Sequence, residues 1–144
     1  MNRRYLIALA IILAGLAMEV YATTFLTVNN TATIQTGASL QATGSVAAGT
    51  TCSAASGTYG STPSVSWGSV TAGTTAKEFI CVQNIGTSSY VVSITSNLAL
   101  ADGTITSPQS TQTVAPQGFL LVEFDWAVSA TATTGGVTFV ITFQ

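Results

Sequence analysis

The sequence predicts an all-β chain folded as a single antiparallel β-sandwich, and three observations carry that expectation. Between Thr24 and Val46, Leu26, Val28, Ala32, Ile34, Ala38, Leu40, Ala42 and Val46 fall on even positions, while Thr27, Asn29, Thr31, Thr33, Gln35, Ser39, Gln41, Thr43 and Ser45 fall on odd ones. That is the period of a half-buried strand. Further on, short runs rich in Val, Ile, Phe and Thr are separated by Gly, Ser and Pro, the punctuation of a sandwich or Greek-key barrel. Beyond residue 22 no segment has the 3.6-residue repeat of an amphipathic helix.

The elements follow in order. Residues 24–35 read as a first strand, Thr36-Gly37 as a bend, and residues 38–46 as a second strand in the same inward phase. The Gly-, Ser- and Thr-rich stretch 47–63 reads as a loop around Cys52 and Tyr59. Residues 64–70 form the next strand, with Trp67 as a core plug, followed by a turn at Thr71-Ala72-Gly73-Thr74. Phe79-Ile80-Cys81-Val82 is apolar on both faces, as in a central strand covered from two sides. Asn84-Ile85-Gly86-Thr87 is a turn, and residues 90–94 are a strand with Tyr90, Val92 and Ile94 on one side. Asp102-Gly103 is a hairpin-type turn signal. After Pro116-Gln117-Gly118, residues 119–128 put Leu120, Val122, Phe124, Trp126 and Val128 on one face and Glu123 and Asp125 on the other. Gly135-Gly136 admits a last strand, residues 137–143, with Val137, Phe139, Ile141 and Phe143 inward.

The N-terminus reads as an export signal. Asn2-Arg3-Arg4 is a short basic region, Tyr5 to Met18 an apolar stretch, and Val20-Tyr21-Ala22 a small-residue cleavage site, with the cut expected between Ala22 and Thr23. An apolar run of about 14 residues is shorter than the roughly 20 that span a bilayer as a helix, and the alternative is an uncleaved anchor. Membrane contact is expected only through this precursor segment. The expected division is therefore residues 1–22 as signal peptide, 23–36 as an N-terminal strand that begins almost at the cut, and 37–144 as the sandwich, placed outside the cell or at its surface. A strand lying free at the start of a mature chain needs a sheet to join.

Composition narrows the function. Charged residues make up 6% of the chain, against the quarter to third of an ordinary soluble surface, so electrostatic repulsion hardly keeps copies apart. After the cut Lys77 is the only cation, facing Glu78, Asp102, Glu123 and Asp125. Nucleic acid is excluded as a partner, because neutralising phosphates takes clustered Lys and Arg. Cys52 and Cys81, the only cysteines, are most simply a disulfide in an exported chain. Two buried thiols or an intermolecular bridge are the other readings, and a thiolate metal site lacks a histidine to complete it.

The chemistry that catalysis would need is sparse. Without histidine there is no Ser-His-Asp or Cys-His arrangement. Glu123 and Asp125 share a strand face at about 6 to 7 Å, a separation that glycosidases use, although two surface acids, one paired with Lys77, are the plainer reading. A calcium site from Asp102, Glu123 or Asp125 lacks an acidic loop of recognisable spacing. No enzyme activity, cofactor or metal is expected. Asn29-Asn30-Thr31 is a glycosylation sequon with Asn29 as acceptor. Tyr59, Tyr90, Trp67 and Trp126 are the aromatics from which a sugar-stacking surface would be built.

Several turns carry a resemblance. Trp67-Gly68, Gly73, Asn84-Ile85-Gly86-Thr87, Val91-Val92, Val114-Ala115-Pro116-Gln117-Gly118 and Gly136-Val137-Thr138-Phe139 resemble an archaeal extracellular Ig-like domain over residues 65–143. With the leading strand included, the chain is similar to subunits of archaeal bundling pili and to the related TasA and camelysin-like biofilm fibre proteins. The resemblance implies an Ig-like or jelly-roll-like sandwich whose N-terminal donor strand completes the sheet of the next subunit, with Leu26, Val28, Ala32 and Ile34 as plugs. The expected partner is then the chain itself, head to tail, with neighbouring filaments or surface glycans as further contacts. A type IV pilin is a poorer match: the N-terminal helix is not long, and no Glu stands at the fifth position after a cut at Arg4/Tyr5. The alternative is a cell-surface Ig-like carbohydrate-binding or adhesive module that does not polymerise.

Overall fold

The computed structural model describes residues 25–37, 39–133 and 135–144, the side chains of residues 25–29 and 35 excepted. The signal reading of residues 1–22 lies outside the described residues, and so do the side chains of Leu26, Val28 and Asn29. Among the described residues ten strands follow one another: β1 (Phe25–Gln35), β2 (Leu40–Ser45), β3 (Ser64–Thr71), β4 (Thr75–Asn84), β5 (Tyr90–Val91), β6 (Ile94–Ser96), β7 (Gly103–Thr106), β8 (Thr113–Val114), β9 (Phe119–Val128) and β10 (Thr138–Phe143). They form a first sheet in the order β3-β1-β10-β6, a second in the order β2-β4-β9-β7, and a two-stranded ribbon of β5 and β8. The fold is thus all-β and sandwich-like. Inward side chains of both four-stranded sheets share one hydrophobic cluster, from Ile34, Val65 and Ile141 on one side to Ile80, Val122 and Phe124 on the other.

The alternation read from the sequence sets these faces. In β9 the even residues Val122, Phe124, Trp126 and Val128 are buried, while the odd residues are half-buried or exposed. In β10 Phe139, Ile141 and Phe143 are buried. Three rings meet where the sheets face each other: Trp67 lies 5.8 Å from Trp126 and 5.4 Å from Phe139, and Trp126 lies 5.5 Å from Phe139. Such offset and edge-on contacts add to the area the rings bury. The Trp126 indole N–H is satisfied by the Asp102 carbonyl, 3.1 Å away.

Of the run apolar on both faces, Ile80, Cys81 and Val82 on β4 are fully buried, while Phe79 is only half-buried. Ile80 and Val82 enter the shared core. Cys81 turns to the outer face, where it is bonded to Cys52, with the two Cα atoms 5.5 Å apart. The 47–63 loop is held against the second sheet at two further points, by the Tyr59 ring edge-on to Phe119 at 5.7 Å and by a bridge between Gly60 and Ala42.

Four expectations are corrected. The sandwich is not wholly antiparallel, because β1 runs parallel to β10; parallel neighbours need a long connection between them, and here nearly the whole domain supplies it. The inward phase of the second strand stops at Ala42, where the β2–β4 register shifts. Thr43 is buried there, its hydroxyl accepting the Cys81 N–H at 3.0 Å, and Val46 is left half-exposed. Residues 90–94 are not one strand: β5 pairs with β8 and β6 with β10, so the chain changes sheets at Val92-Ser93. Asp102-Gly103 is not a hairpin turn either, since β6 and β7 lie in different sheets. Gly103 is required for another reason. At φ 129° it approaches so closely that a Cβ there would lie 2.2 Å from the Ala127 carbonyl oxygen.

Candidate functional site: the slot of the N-terminal strand

The expected donor strand is β1, and the residues beside it define its slot. In the single chain β1 occupies an interior position of its own first sheet, with β3 on one side and β10 on the other. Against β3 it is antiparallel, with Ala32 opposite Val65 and Thr33 opposite Ser64. Against β10 it is parallel, with Thr31 beside Thr138, Ala32 beside Phe139 and Ile34 beside Ile141. Of the four expected plugs, Ala32 and Ile34 are fully buried in the shared core, and burying Ile34 alone is worth about 1.5–3 kcal/mol. The slot is lined by Val65, Phe139 and Ile141, all buried.

The even positions of β1 hold one polar residue. Asn30 is fully buried. Its amide nitrogen donates to the Gly68 carbonyl at 2.9 Å, and its oxygen accepts from the Val137 N–H at 3.1 Å. The β1–β3 ladder is irregular on both sides of it, and Gly68 has φ 58°. In the sequence the signal for this residue is an amide at an even position of an otherwise apolar alternation. The sequon directs attention instead to its neighbour Asn29.

At its C-terminal end β1 is tied to the segment leading into β3. The Ile34 N–H donates to the Pro63 carbonyl at 2.8 Å and the Thr36 N–H to the Ser61 carbonyl at 3.1 Å. The connection to β2 is tight: the Leu40 N–H reaches the Gly37 carbonyl at 3.0 Å, and the Thr36 hydroxyl the Leu40 carbonyl at 2.8 Å. Four residues, 36–39, therefore carry the chain from one sheet to the other.

The remaining candidates are placed elsewhere. Glu123 and Asp125 lie on the outer face of β9, and both are engaged by Lys77 of β4, whose ammonium hydrogen-bonds to Glu123 and stands 2.9 Å from Asp125. This occupies the pair weighed as glycosidase carboxylates. Asp102 stands away from them in an open polar depression of about 270 Å³ with Thr133, Gly135, Gly136, Val137 and Thr138, and no group of three metal-ligating side chains occurs among the described residues. Trp67 and Trp126 are core residues, which withdraws both from a sugar-stacking surface. Tyr59 is half-buried, its hydroxyl donating to the Ser53 carbonyl at 2.9 Å.

Two of these groups respond to alkaline pH. The Lys77 ammonium is held above its ordinary value of 10.5, first by its hydrogen bond to Glu123 and then by the neighbouring Asp125 carboxylate. Burial pushes the Tyr59 phenol above 10.0, against a smaller opposing effect of Ser56. Both folded-state values are raised, so both contributions to stability are complete below the unfolded values and disappear as pH rises through the folded ones. The melting temperature is expected to fall from these groups only on the alkaline side of 10.0. Thermal melts of Lys77→Met should lose the lysine part of that fall and keep the tyrosine part.

Compared with protein-family models, curated proteins and solved structures, the chain gave no match. The Cys52–Cys81 bond fits an oxidising compartment such as the cell exterior. Among the described residues no helix is long and apolar enough to cross a membrane.

Proposed function

We propose that this chain is a structural subunit of an extracellular filament, a pilus or biofilm-matrix fibre, that polymerises head to tail by lending its N-terminal strand to the next copy. The observation that carries the reading is the position of β1: it is the first described strand, yet it lies inside a sheet rather than at its edge. Moving it out leaves two strand edges facing each other across an apolar slot, and the equivalent strand of a neighbour fits that slot by definition. Ladder hydrogen bonds then supply affinity and alternate side chains supply specificity. Such a contact is heterologous and does not close, so it generates a filament. A low-charge surface rich in Ser and Thr favours contact between filaments and with glycans. No reaction, cofactor or nucleic acid enters this function.

A second reading is favoured by a specific observation. β1 is paired within its own chain, which is the arrangement of a discrete surface module. Negative-stain microscopy of surface material with N-terminal sequencing of the subunit separates the two. Fibres built of a chain beginning at Thr23 are the expected result; discrete particles of single-subunit mass overturn it.

A further inference from the structure

The apolar alternation of β1 fixes which face enters the core but not how far along the slot the strand sits. A slip of one residue turns every side chain to the wrong face, whereas a slip of two returns apolar positions to apolar positions. Leu26, Val28, Ala32 and Ile34 alone therefore leave registers two residues apart nearly alike. Asn30 breaks the tie. It is fully buried and spans the slot, donating to Gly68 of β3 at 2.9 Å and accepting at 3.1 Å from Val137, the residue before β10.

We propose that Asn30 is the residue by which the slot selects its strand, fixing the register and favouring a second copy of this chain over other alternating strands. The part concerning a second copy rests on the strand-exchange reading above. A carboxamide suits the task because it carries a donor and an acceptor on separate atoms. If the strand slips two residues in one direction, Asn30 comes level with Val65 and Phe139, the present neighbours of Ala32. Slipped the other way, Ala32 takes its place. Either slip leaves the Gly68 carbonyl and the Val137 N–H without the amide, and a buried polar group deprived of its partner costs more than the hydrogen bond gained when paired. A foreign strand with an apolar residue at this position meets the same two unpaired groups, which is discrimination by a penalty on the wrong partner. A single buried Asn fixes register in coiled coils on the same principle.

The test uses the whole mature chain, with cysteines placed at exposed or half-exposed threonines and a short thiol-specific cross-linker. Thr31→Cys with Thr138→Cys reports the observed register, in which these residues are partners. Thr33→Cys with Thr138→Cys reports a slip of two. With Asn30 present, only the first pair should link. In Asn30→Val, and to a lesser degree in Asn30→Thr, the slipped product should rise about tenfold, the size expected when registers no longer differ by a pair of buried hydrogen bonds. Exclusive native-register linking in Asn30→Val overturns the proposal. Loss of cooperative folding in both variants also overturns it, in favour of a plain structural requirement. The mass of the products tests the other reading separately. A ladder of multiples places the pairing between copies, whereas linking confined to single chains sinks the filament while leaving Asn30 as the register residue of its own sheet.

Discussion

A mature chain lacking residues 23–34 is expected to lose its cooperative thermal transition and to form no fibres, and a peptide of residues 24–35 is expected to restore folding. The effect is large because β1 is an interior strand. Its removal takes Ile34 and Ala32 out of the core, uncovers Val65, Phe139 and Ile141 on its two sides, and strips ladder partners from β3 and β10. Burial of Ile34 with partial exposure of three apolar neighbours amounts to on the order of 5 kcal/mol, comparable with the whole stability of a domain this size. Circular dichroism melts with and without the peptide check it. A truncated chain that melts cooperatively and still assembles rules out any essential role for the strand.

The same peptide distinguishes exchange from closure. A connection of four residues holds β1 at an effective concentration in the millimolar range beside its own slot, so a closed subunit resists a free peptide. Exchange would have to overcome that advantage, most readily where a subunit meets its neighbour before closing. If the chain polymerises as proposed, the terminal slot of a growing fibre is open to a matching strand. Excess peptide should then shorten fibres, whereas it should leave a discrete module unchanged.

Much of the fold was legible because side-chain parity is local. The faces of β9 and β10 and the inward Ala32 and Ile34 follow from alternation, and the two-sided burial of β4 from its continuous apolar run. What was not legible depends on partners distant in the chain. Nothing near Phe25 or Phe143 states that β1 and β10 run side by side in the same direction. Tyr90 to Ile94 alternates like one strand, yet its two ends belong to different sheets because Val114 and Phe143 offer it different partners. Asp102-Gly103 has hairpin chemistry, but the glycine answers a close approach to Ala127. On the core face of β1, burial of Ala32 and Ile34 could be read, and Asn30 shows as an amide at an even position, but an isolated Asn in a strand does not disclose the two backbone groups it meets on neighbouring strands.

The second large effect concerns the staple. Replacing Cys52 and Cys81 by Ser should lower stability by roughly 3–4 kcal/mol, the value for a bridge closing a loop of about 30 residues in the chain-entropy model. For a domain of this size that is a fall in melting temperature on the order of 10–15 °C. The loss has a structural side as well. Cys81 is fully buried on the outer face of β4, where the bridge holds the 47–63 loop that also places Tyr59 against Phe119. Without the bond the loop is anchored by that ring contact and by Gly60 pairing with Ala42, and a serine hydroxyl is buried where a sulfur was. Because the outer face of the second sheet is remote from the β3–β1–β10 slot, fibres should still form from the double variant below its lowered melting temperature. Melting curves of oxidised, reduced and double-variant protein, run beside microscopy of the same samples, check both parts. A double variant as stable as the parent contradicts the staple, and one that folds but never assembles shows that the loop, rather than the slot alone, takes part in the contact between copies.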